Sequence, residues 1–457
     1  MGINRAIGRL TLLFIALYLI LAARQIWVQA IAGPQLADNP HNPRGAMLAQ
    51  YRGSIVARDG TILAVSSARG RAYPFGAALA QTVGYESARY GTSGLESVFE
   101  AQLAAQAAGN DPWTQLLGIF GKPQGVRRGT TLVTTIDPSI QRALYESLRA
   151  YPRAAGLALD PRTGEVLAIA SVPSFDPARI DATFVTLAGD PSSPLLNRAI
   201  DGLYPPGSTF KIVTVADALD AGVVDLDSSF DDPGSYRVGT FVVHDDEGEA
   251  TGHRSLAGAF ALSSNVDFAQ IALALGPERW FEYAARWRFG EPLDFTLGTS
   301  RDHLPARASV TPSIMAQLGF GQADLLVTPL RMALVAATIA DGGSTPHPTL
   351  VRSSGESPPL ANPIDAQVAA QVRDLMIGAV ASGTGTAAAL PGVTVAGKTG
   401  TATNPAGRSH AWFVAFAPAE SPRVAVAIVV ENAGYGGAVA APIARRVLAA
   451  ALRVPRG

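Results

Sequence analysis

The sequence predicts an α+β protein of several domains: an N-terminal transmembrane helix, a small accessory domain, and a larger domain with an antiparallel β-sheet covered by helices. Three observations lead to this prediction: a basic N-terminus that runs into an apolar segment, a change of pattern near Gly129, and strand-like segments at both ends of the region that follows. A chain of 457 residues is also too long for one ordinary domain. The expected boundaries are 1–32 for a cytoplasmic tip and anchor, 33–128 for a linker and accessory domain, and 129–457 for the large domain.

The N-terminal segment has the composition of a membrane-spanning helix. Two arginines precede an uninterrupted apolar run from Leu10 to Ala23. A spanning helix needs about 20 residues, and the segment from Ile3 to Val28 reaches that length if the second arginine extends to the headgroup region. The basic flank predicts a cytoplasmic N-terminus with the remainder outside. A signal peptide cleaved after Ala32 and a buried core helix are the alternatives, and the long stretch before Ala32 favours a retained anchor over cleavage.

Residues 33–128 predict a linker followed by a small domain. Three prolines among polar residues indicate an extended linker over 33–45. Beyond it, Ser54–Ala57 and Thr61–Val65 have strand-like composition on either side of an Asp-Gly turn. A helical stretch runs near Leu95–Ala108, and Glu96 at its start is assigned to packing within this domain.

The larger region predicts strands at both ends and helices between them. A turn over 161–164 between two apolar segments indicates a hairpin. The predicted strands are Gly156–Asp160, Glu165–Ser171, Val393–Ala402, Ala411–Ala417 and Val424–Val430. The predicted helices are Thr209–Ala221, Ser264–Ala274 and Ala441–Leu452. Strands that enclose helices in this order favour one antiparallel sheet covered by helices.

Charge and composition exclude several classes of function. With 36 basic and 37 acidic residues the formal net charge is −1, which offers no basic excess to attract nucleic acid. The chain has no cysteine, so thiol nucleophiles, disulfides and cysteine-bound metal centres are excluded. Only three basic residues are lysine, namely Lys122, Lys211 and Lys398. Where arginine is so strongly preferred, a retained lysine indicates a need for an amine that can lose its proton.

The first chemical motif is Ser208 with Lys211, after Tyr-Pro-Pro-Gly. The prolines and Gly207 predict a turn at which Ser208 opens a helix, and positions three apart lie on one helix face. A serine hydroxyl is a weak nucleophile until a base takes its proton, and a lysine can be that base only if burial and positive potential lower its pKa from about 10.4. The helix N-terminus supplies such potential, and its N–H groups can stabilise an oxyanion. The same residues also fit an ordinary helix cap beside a surface lysine.

The second motif is Lys398-Thr399-Gly400-Thr401, on a predicted strand with Gly397 before it. Glycines in a strand leave space for a ligand backbone to lie close, and Lys398 can then bind a carboxylate. An ordinary strand with a surface lysine is the alternative. Because two of the three lysines fall in the first two motifs, the functional interpretation is favoured.

The third motif is Ser263-Ser264-Asn265, at the start of a predicted helix. Taken alone, it is typical of a plain serine or asparagine helix cap. It becomes a candidate for the site only together with the other two motifs.

The three motifs resemble those of the serine penicillin-binding proteins, in which S-x-x-K, S-x-N and K-T-G occur in this order and line one cleft. The similarity covers roughly residues 44–450. The Arg-Gly-Ser-Ile to Arg-Asp-Gly stretch at 52–60 resembles the signature that opens the accessory domain of the class B branch, whose members are monofunctional transpeptidases. The segments 135–137, 158–177 and 327–330 also fit that branch.

The resemblance implies a peptidoglycan D,D-transpeptidase that acts on D-Ala-D-Ala stem peptides and is a target of β-lactams. It implies that Ser208 is acylated with Lys211 as its base, that Ser263 passes the proton to the leaving amine, and that the N–H groups of Ser208 and Thr401 form the oxyanion hole. The implied substrate-binding residues are Asn265, Lys398, Thr399, Gly400 and Thr401. It also implies no cofactor or metal, an N-in, C-out anchor in the bacterial cytoplasmic membrane, and a polytopic glycan polymerase as partner.

Other functions share these features and stay open. A D,D-carboxypeptidase and a β-lactamase use the same motifs, whereas a β-lactam sensor or an inactive wall-synthesis scaffold would not be an enzyme. A sensor should have further spanning helices or a cytoplasmic signalling segment, and an inactive scaffold should have lost Ser208 or Lys211, which are both present. The acidic and histidine residues between His244 and His253 lack regular ligand spacing, so a solvated loop is favoured there over a metal site.

Overall fold

The structure is a computed structural model that describes residues 2–27, 52–67, 70–104, 129–245, 252–352, 355, 358–404 and 407–453. The predicted linker and Lys122 lie outside these ranges. Helix α1 is Gly2–Ile26, and its segment Ile7–Gln25 has a mean hydropathy of 1.8. Among the described residues it is the one helix long and apolar enough to cross a membrane. Its length and composition make it a candidate single-pass anchor.

The accessory region consists of short elements. Its strands are β1 (Ile55–Val56), β2 (Ile62–Ser67), β3 (Gly70–Ala72), β4 (Glu86–Ser87) and β5 (Gly91–Thr92). Its helices are α2 (Ala80–Val83), α3 (Gly94–Val98) and α4 (Glu100–Leu103). The two strands predicted on either side of the Asp-Gly turn are confirmed, because β1 pairs antiparallel with β2. The predicted helix from Leu95 is two short helices as far as Leu103, and its predicted end at Ala108 lies outside the described residues.

Glu96 packs inside the accessory region, as predicted. Its side chain is fully buried and forms ion pairs with Arg52 and with Arg71, whose Nε lies 2.7 Å from Oε1 of Glu96. Arg52 also reaches Glu100 at 2.8 Å. Because a buried carboxylate is tolerated only when it is paired, the two arginines account for its position.

The larger region begins with β6 (Leu132–Val133), which adds to the accessory sheet beside β1. The remaining strands are β7 (Ala154–Leu159), β8 (Val166–Val172), β9 (Ser229–Asp232), β10 (Ser235–Val238), β11 (Phe241–His244), β12 (Gly252–Ser255), β13 (Ala396–Asn404), β14 (Gly407–Ala417) and β15 (Val424–Val430). The helices are α5 (Pro138–Leu148), α6 (Ile180–Ala188), α7 (Lys211–Asp220), α8 (Leu256–Leu262), α9 (Asn265–Arg286), α10 (Pro312–Leu318), α11 (Pro329–Ala340), α12 (Ala366–Ala381) and α13 (Gly436–Arg453).

The described residues of this region form a five-stranded antiparallel sheet in the order β13-β14-β15-β7-β8. Every residue of β7, β8 and β15 is buried, which explains why their sequences are continuous apolar runs rather than alternating ones. Helices α5 and α13 pack on one face, and α11 packs on the other. Helix α12 packs against the edge strand β13, which carries the second motif. The predicted sheet covered by helices is therefore confirmed.

The three helices predicted in the larger region differ from the observed ones in their bounds, and the last begins at Gly436 rather than at Ala441. The helix expected from Ser264 to Ala274 continues to Arg286, with a kink at Gly276 where φ is 76°. The helix expected from Thr209 begins instead with a 3-10 turn, Gly207–Phe210, before α7. Hydrophobic periodicity indicates a helix without distinguishing a 3-10 start, because the two forms differ by a fraction of a residue per turn.

Candidate active site

Ser208 lies in the 3-10 turn that opens α7, and only 7% of it is exposed. Gly207 has a φ of 55°, and a Cβ at this position would lie 2.7 Å from the carbonyl oxygen of Thr401. The N–H of Gly207 donates to Gly321 at 2.9 Å. A glycine is therefore required both by the backbone conformation and by the close approach of β13.

The segment before Ser208 is fixed to the sheet. Tyr204 pairs with Val327 through two backbone hydrogen bonds, and its hydroxyl donates to Oε1 of Glu431 at 2.8 Å. Arg198 binds the same carboxylate oxygen at 2.9 Å. Trp412 on β14 donates from Nε1 to the carbonyl of Pro205 at 3.1 Å. Burial, and secondly the Glu431 charge, raises the pKa of Tyr204 well above its usual range, so this phenol stays a donor.

Lys211 is fully buried in the first turn of α7. Its Nζ donates to the backbone carbonyl of Ser263, to Oδ1 of Asn265 at 2.9 Å and to Oγ of Ser263 at 3.3 Å. The ammonium also lies 5.3 Å from the ring centre of Phe268. The lysine of the first motif thus contacts both functional side chains of the third motif.

Lys398 on β13 is also fully buried. Its Nζ donates to Oγ of Ser263 at 2.7 Å and to the carbonyl of Thr399 at 3.2 Å, and it lies 5.7 Å from the ring centre of Phe260. Neither lysine is the surface residue that the alternative interpretations required. The amines of Lys211 and Lys398 thus both contact one hydroxyl, that of Ser263.

The cleft beside these residues has a volume of about 510 Å³. Its described lining consists of Ser208, Asp245, Arg254, Leu262, Ser263, Thr384, Thr386, Ala387, Thr399, Thr401, Tyr435, Gly437 and Ala438. Each of the three motifs contributes at least one lining residue. The two lysines are not among them but contact Ser263, which is. The structure therefore brings together the residues that the sequence placed in three separate segments.

Gly400 lies against the turn that carries Ser208. A Cβ on Gly400 would lie 2.9 Å from Cγ2 of Thr209 and 3.0 Å from the carbonyl oxygen of Pro206. The space that it leaves on this side is thus filled by that turn. Gly397 is similar, since its Cβ would lie 2.8 Å from the ring of Phe413. Both glycines allow the protein to pack closely against its own edge strand.

Sequence reasoning missed several residues of the cleft. Thr384 and Thr386 follow α12, and the hydroxyl of Thr384 lies 2.6 Å from that of Thr399. Tyr435, with 56% of its surface exposed, also lines the cleft, directly before α13. The Ser-Gly-Thr-Gly-Thr run at 382–386 was the available signal for the threonines, whereas nothing local marks Tyr435.

The interpretation of residues 244–253 as a solvated loop is wrong for part of the segment. His244 ends β11, and His253 lies in β12, where it contacts Asp231 at 2.8 Å. Asp245 is half-buried and lines the cleft, and Arg254 is buried. The residues between them, 246–251, lie outside the described ranges.

A buried group of charges lies beneath the third motif. Arg254 binds Asp232 at 2.8 Å and lies 3.4 Å from Asp267, and both carboxylates are fully or almost fully buried. Burial, opposed by the charge of Arg254 and assisted by those of Asp232 and Asp245, raises the pKa of Asp267 to about 6. With one arginine for three carboxylates, full ionisation of this group is unfavourable.

Comparison with known families gives two matches. The model of the penicillin-binding protein transpeptidase domain matches residues 154–449. The model of the penicillin-binding protein A dimerisation domain matches residues 52–124.

Similar proteins and structures agree with these matches. The peptidoglycan D,D-transpeptidase PbpA of Mycobacterium tuberculosis is 34% identical, over 98% of this chain and 99% of its own. The structure of M. tuberculosis penicillin-binding protein A as a ceftriaxone acyl-enzyme has a TM-score of 0.80 at 32% identity, over 89% of this chain and 99% of that one. A D,D-transpeptidase domain from Eggerthella lenta has a TM-score of 0.78 at 35% identity, over 88% and 98% of the two chains.

Proposed function

The chain belongs to the class B penicillin-binding proteins, and from that membership and the geometry of the cleft we propose that it cross-links peptidoglycan stem peptides through an acyl-enzyme on Ser208. One observation carries the residue assignment. The buried amines of Lys211 and Lys398 both contact the hydroxyl of Ser263, which lines the same cleft as Ser208. A nucleophile, a base and a proton carrier are the groups that acyl transfer from an amide requires.

In the acylation step, Oγ of Ser208 attacks the carbonyl carbon between the two terminal D-alanines while Lys211, in its neutral form, takes the hydroxyl proton. The N–H groups of Ser208 and Thr401 stabilise the resulting oxyanion. The amide C–N bond then breaks, and the hydroxyl of Ser263 gives its proton to the departing D-alanine amine. Lys211 returns a proton to Ser263, so that Lys211 ends the step neutral. The contact between Lys211 and Ser263 at 3.3 Å supports this proton path.

In the second step, the amine of another stem peptide attacks the ester carbonyl. Its proton passes to Lys211 and from there to Oγ of Ser208 as the ester C–O bond breaks. A new amide joins the two peptides, and the serine is regenerated. Because Lys211 is neutral again at the end, one base serves both steps.

The other motif residues bind the donor peptide. Lys398 contributes positive charge for the terminal carboxylate, and the hydroxyls of Thr399 and Thr401 line the cleft on the same strand. The amide of Asn265 is held by Lys211 at Oδ1 and by the carbonyl of His244, to which its Nδ2 donates at 3.0 Å. With its orientation fixed at both ends, this amide is suited to align the acyl side chain of the donor.

We expect the acyl-enzyme formed with a β-lactam to be long-lived. Rapid hydrolysis needs a base that activates water against the ester, for which class A β-lactamases use an added glutamate. Among the described residues that line the cleft, the one carboxylate is Asp245, and its Oδ1 already accepts backbone N–H groups of Asn265 and Val266. Decay should therefore be slower by many orders of magnitude than an ordinary turnover of about 10 per second. Nitrocefin and benzylpenicillin hydrolysis would be followed after the initial burst.

This assay, together with one that supplies a pentapeptide donor, separates the alternatives within enzymes. Sustained hydrolysis at enzyme-like rates identifies a β-lactamase and contradicts the proposal. Release of D-alanine from a pentapeptide donor with water as the only acceptor identifies a D,D-carboxypeptidase. Cross-linked product that depends on an added amine supports the transpeptidase.

We also propose that α1 anchors the chain in the cytoplasmic membrane, with the N-terminus in the cytoplasm and the catalytic region outside. The arginines at the N-terminal end of an apolar helix support this orientation. A polytopic glycan polymerase is the proposed partner, because a cross-linking enzyme at the membrane surface needs newly made glycan strands nearby.

The N-terminal helix should stay attached to the mature protein. N-terminal sequencing of the chain purified from membranes should find α1 intact, and protease added to spheroplasts should digest the catalytic region. A mature N-terminus at Gly33 would show that the segment is a signal peptide instead. Protection of the catalytic region in intact spheroplasts would contradict the proposed orientation.

A further inference from the structure

The segment Ser263–Asn265 carries two of the proposed site side chains in a conformation that is not relaxed. Ser263 ends α8 with a φ of 66°, in the left-handed region. A residue with a side chain is strained in that region and remains there only where its surroundings fix it. Some neighbouring group must therefore hold the segment in place.

Two carboxylates from the adjacent strands hold it. Oγ of Ser264 donates to Oδ2 of Asp232 at 3.0 Å, on β9. The backbone N–H groups of Asn265 and Val266 both donate to Oδ1 of Asp245, directly after β11. Asp245 thus binds free donors of the first turn of α9, at the point where the chain leaves the strained residue.

The two carboxylates act as one unit. Asp232 is almost fully buried and also binds Arg254 at 2.8 Å and the N–H of Gly234 at 2.7 Å. Burial raises the pKa of Asp245, and the neighbouring carboxyl of Asp232 raises it further. A carboxyl group keeps an accepting oxygen whether or not it is protonated, so Oδ1 of Asp245 can accept from the helix in either state.

We propose that Asp245 is a positioning residue for acylation: its Oδ1 fixes the backbone of Asn265 and so keeps the hydroxyl of Ser263 between the two lysine amines. This inference rests on the proposed function, because it assigns Asp245 a part in that same step. The geometry requires an acceptor at Oδ1. It does not require a negative charge on Asp245.

This requirement distinguishes two substitutions. In Asp245→Asn the amide oxygen still accepts from the helix N–H groups, although the side chain is neutral. In Asp245→Ala both bonds are lost, and Ser263 is free to leave its left-handed conformation. A matched control is Asp231→Ala, on the same strand as Asp232. The Asp231 side chain is 89% exposed, and its one ion pair in the part of the chain that the structure describes is with the exposed side chain of His253.

The experiment is stopped-flow acylation with a fluorescent penicillin, which separates the dissociation constant of the first complex from the acylation rate constant. Asp245→Ala should lower the acylation rate constant about tenfold to a hundredfold, since misplacement by about 1 Å has effects of that size. Asp245→Asn should stay within about threefold of the unmodified chain, because both hydrogen bonds are retained. Asp231→Ala should have no effect.

Two outcomes overturn the inference. An unchanged acylation rate in Asp245→Ala shows that the segment holds its geometry without this contact. Equal loss in Asp245→Asn and Asp245→Ala shows that the charge itself is needed, as for a direct contact with an ammonium group of the substrate. If the alanine variant does not fold, a loss of more than about tenfold in Asp245→Asn still decides against the inference. Failure of the unmodified chain to react with penicillin would refute the proposed function, whereas equal rates in all four proteins refute only this inference.

Discussion

Replacement of Ser208 by alanine should abolish covalent labelling by penicillin. The ester forms on Oγ, and the neighbouring Lys211 is placed to act as a base and not as a second nucleophile, because its amine is fully buried and held by the carbonyl of Ser263. We expect the acylation rate to fall by at least about a thousandfold, as for removal of other enzymatic nucleophiles. Intact-mass analysis should show one adduct on the unmodified chain and none on Ser208→Ala.

A matched control is Ser309→Ala. Ser309 also lies in a 3-10 turn but is exposed, and in the contacts that the structure describes its hydroxyl binds only the carbonyl of Ala306. This variant should be labelled like the unmodified chain, and peptide mapping of both should locate the adduct on the peptide that contains Ser208. An adduct that persists in Ser208→Ala would place the nucleophile elsewhere.

The antiparallel sheet was predictable because most of its strands are apolar runs of the length that a strand has. Val424–Val430 was predicted with the bounds that β15 has. The edge strand β13 was placed three residues too early at its start, since Val393 and its neighbours are apolar without pairing to β14. Strand ends depend on where a partner strand ends, and that information lies far away in the sequence.

Several helices were not predicted although their starts carry local signals. Helices α5, α10 and α11 each begin with proline, after a capping residue: Asp137, Thr311 and Thr328. In each case the side chain of the cap accepts a backbone N–H, as a capping residue before proline at the first helical position should. These starts were available to sequence reasoning, and so was the kink at Gly276 in α9, because Pro277 follows it.

For the site, the sequence identified the motifs but not their mutual geometry. The spacing of the motif predicted that Lys211 lies beside Ser208, and the residue types predicted that Lys398 binds a carboxylate. The structure adds that both amines contact Ser263, and that Gly400 makes room for Thr209. Asp245 was not found, because a carboxylate in a polar stretch has no local pattern that distinguishes a solvated residue from one that holds a distant helix.

Replacement of Lys211 by arginine should abolish acylation although the positive charge is kept. Guanidinium has a pKa above about 12 and does not accept the serine proton at any pH where the protein is folded. It is also planar and larger, whereas Nζ of Lys211 occupies a fully buried position among Ser263 and Asn265. Loss of a general base typically costs about 10² to 10⁴ in rate, and we expect the upper end of that range. Acylation by the fluorescent penicillin would be measured from pH 6 to pH 10.

Lys398→Arg is the matched comparison, because Lys398 is equally buried and contacts the same hydroxyl of Ser263. If Lys398 serves mainly as a charge for the substrate carboxylate, arginine keeps that charge, and we expect a loss of about tenfold to a hundredfold, mostly in the affinity of the first complex. Lys211→Arg should instead lose the acylation rate constant and show no recovery at high pH. The comparison is decisive because the two variants make the same chemical change on the two sides of one hydroxyl, so steric cost alone predicts similar losses. Equal loss of the acylation rate constant in both would therefore argue against separate roles, and measurable acylation in Lys211→Arg at pH 10 would remove Lys211 as the base.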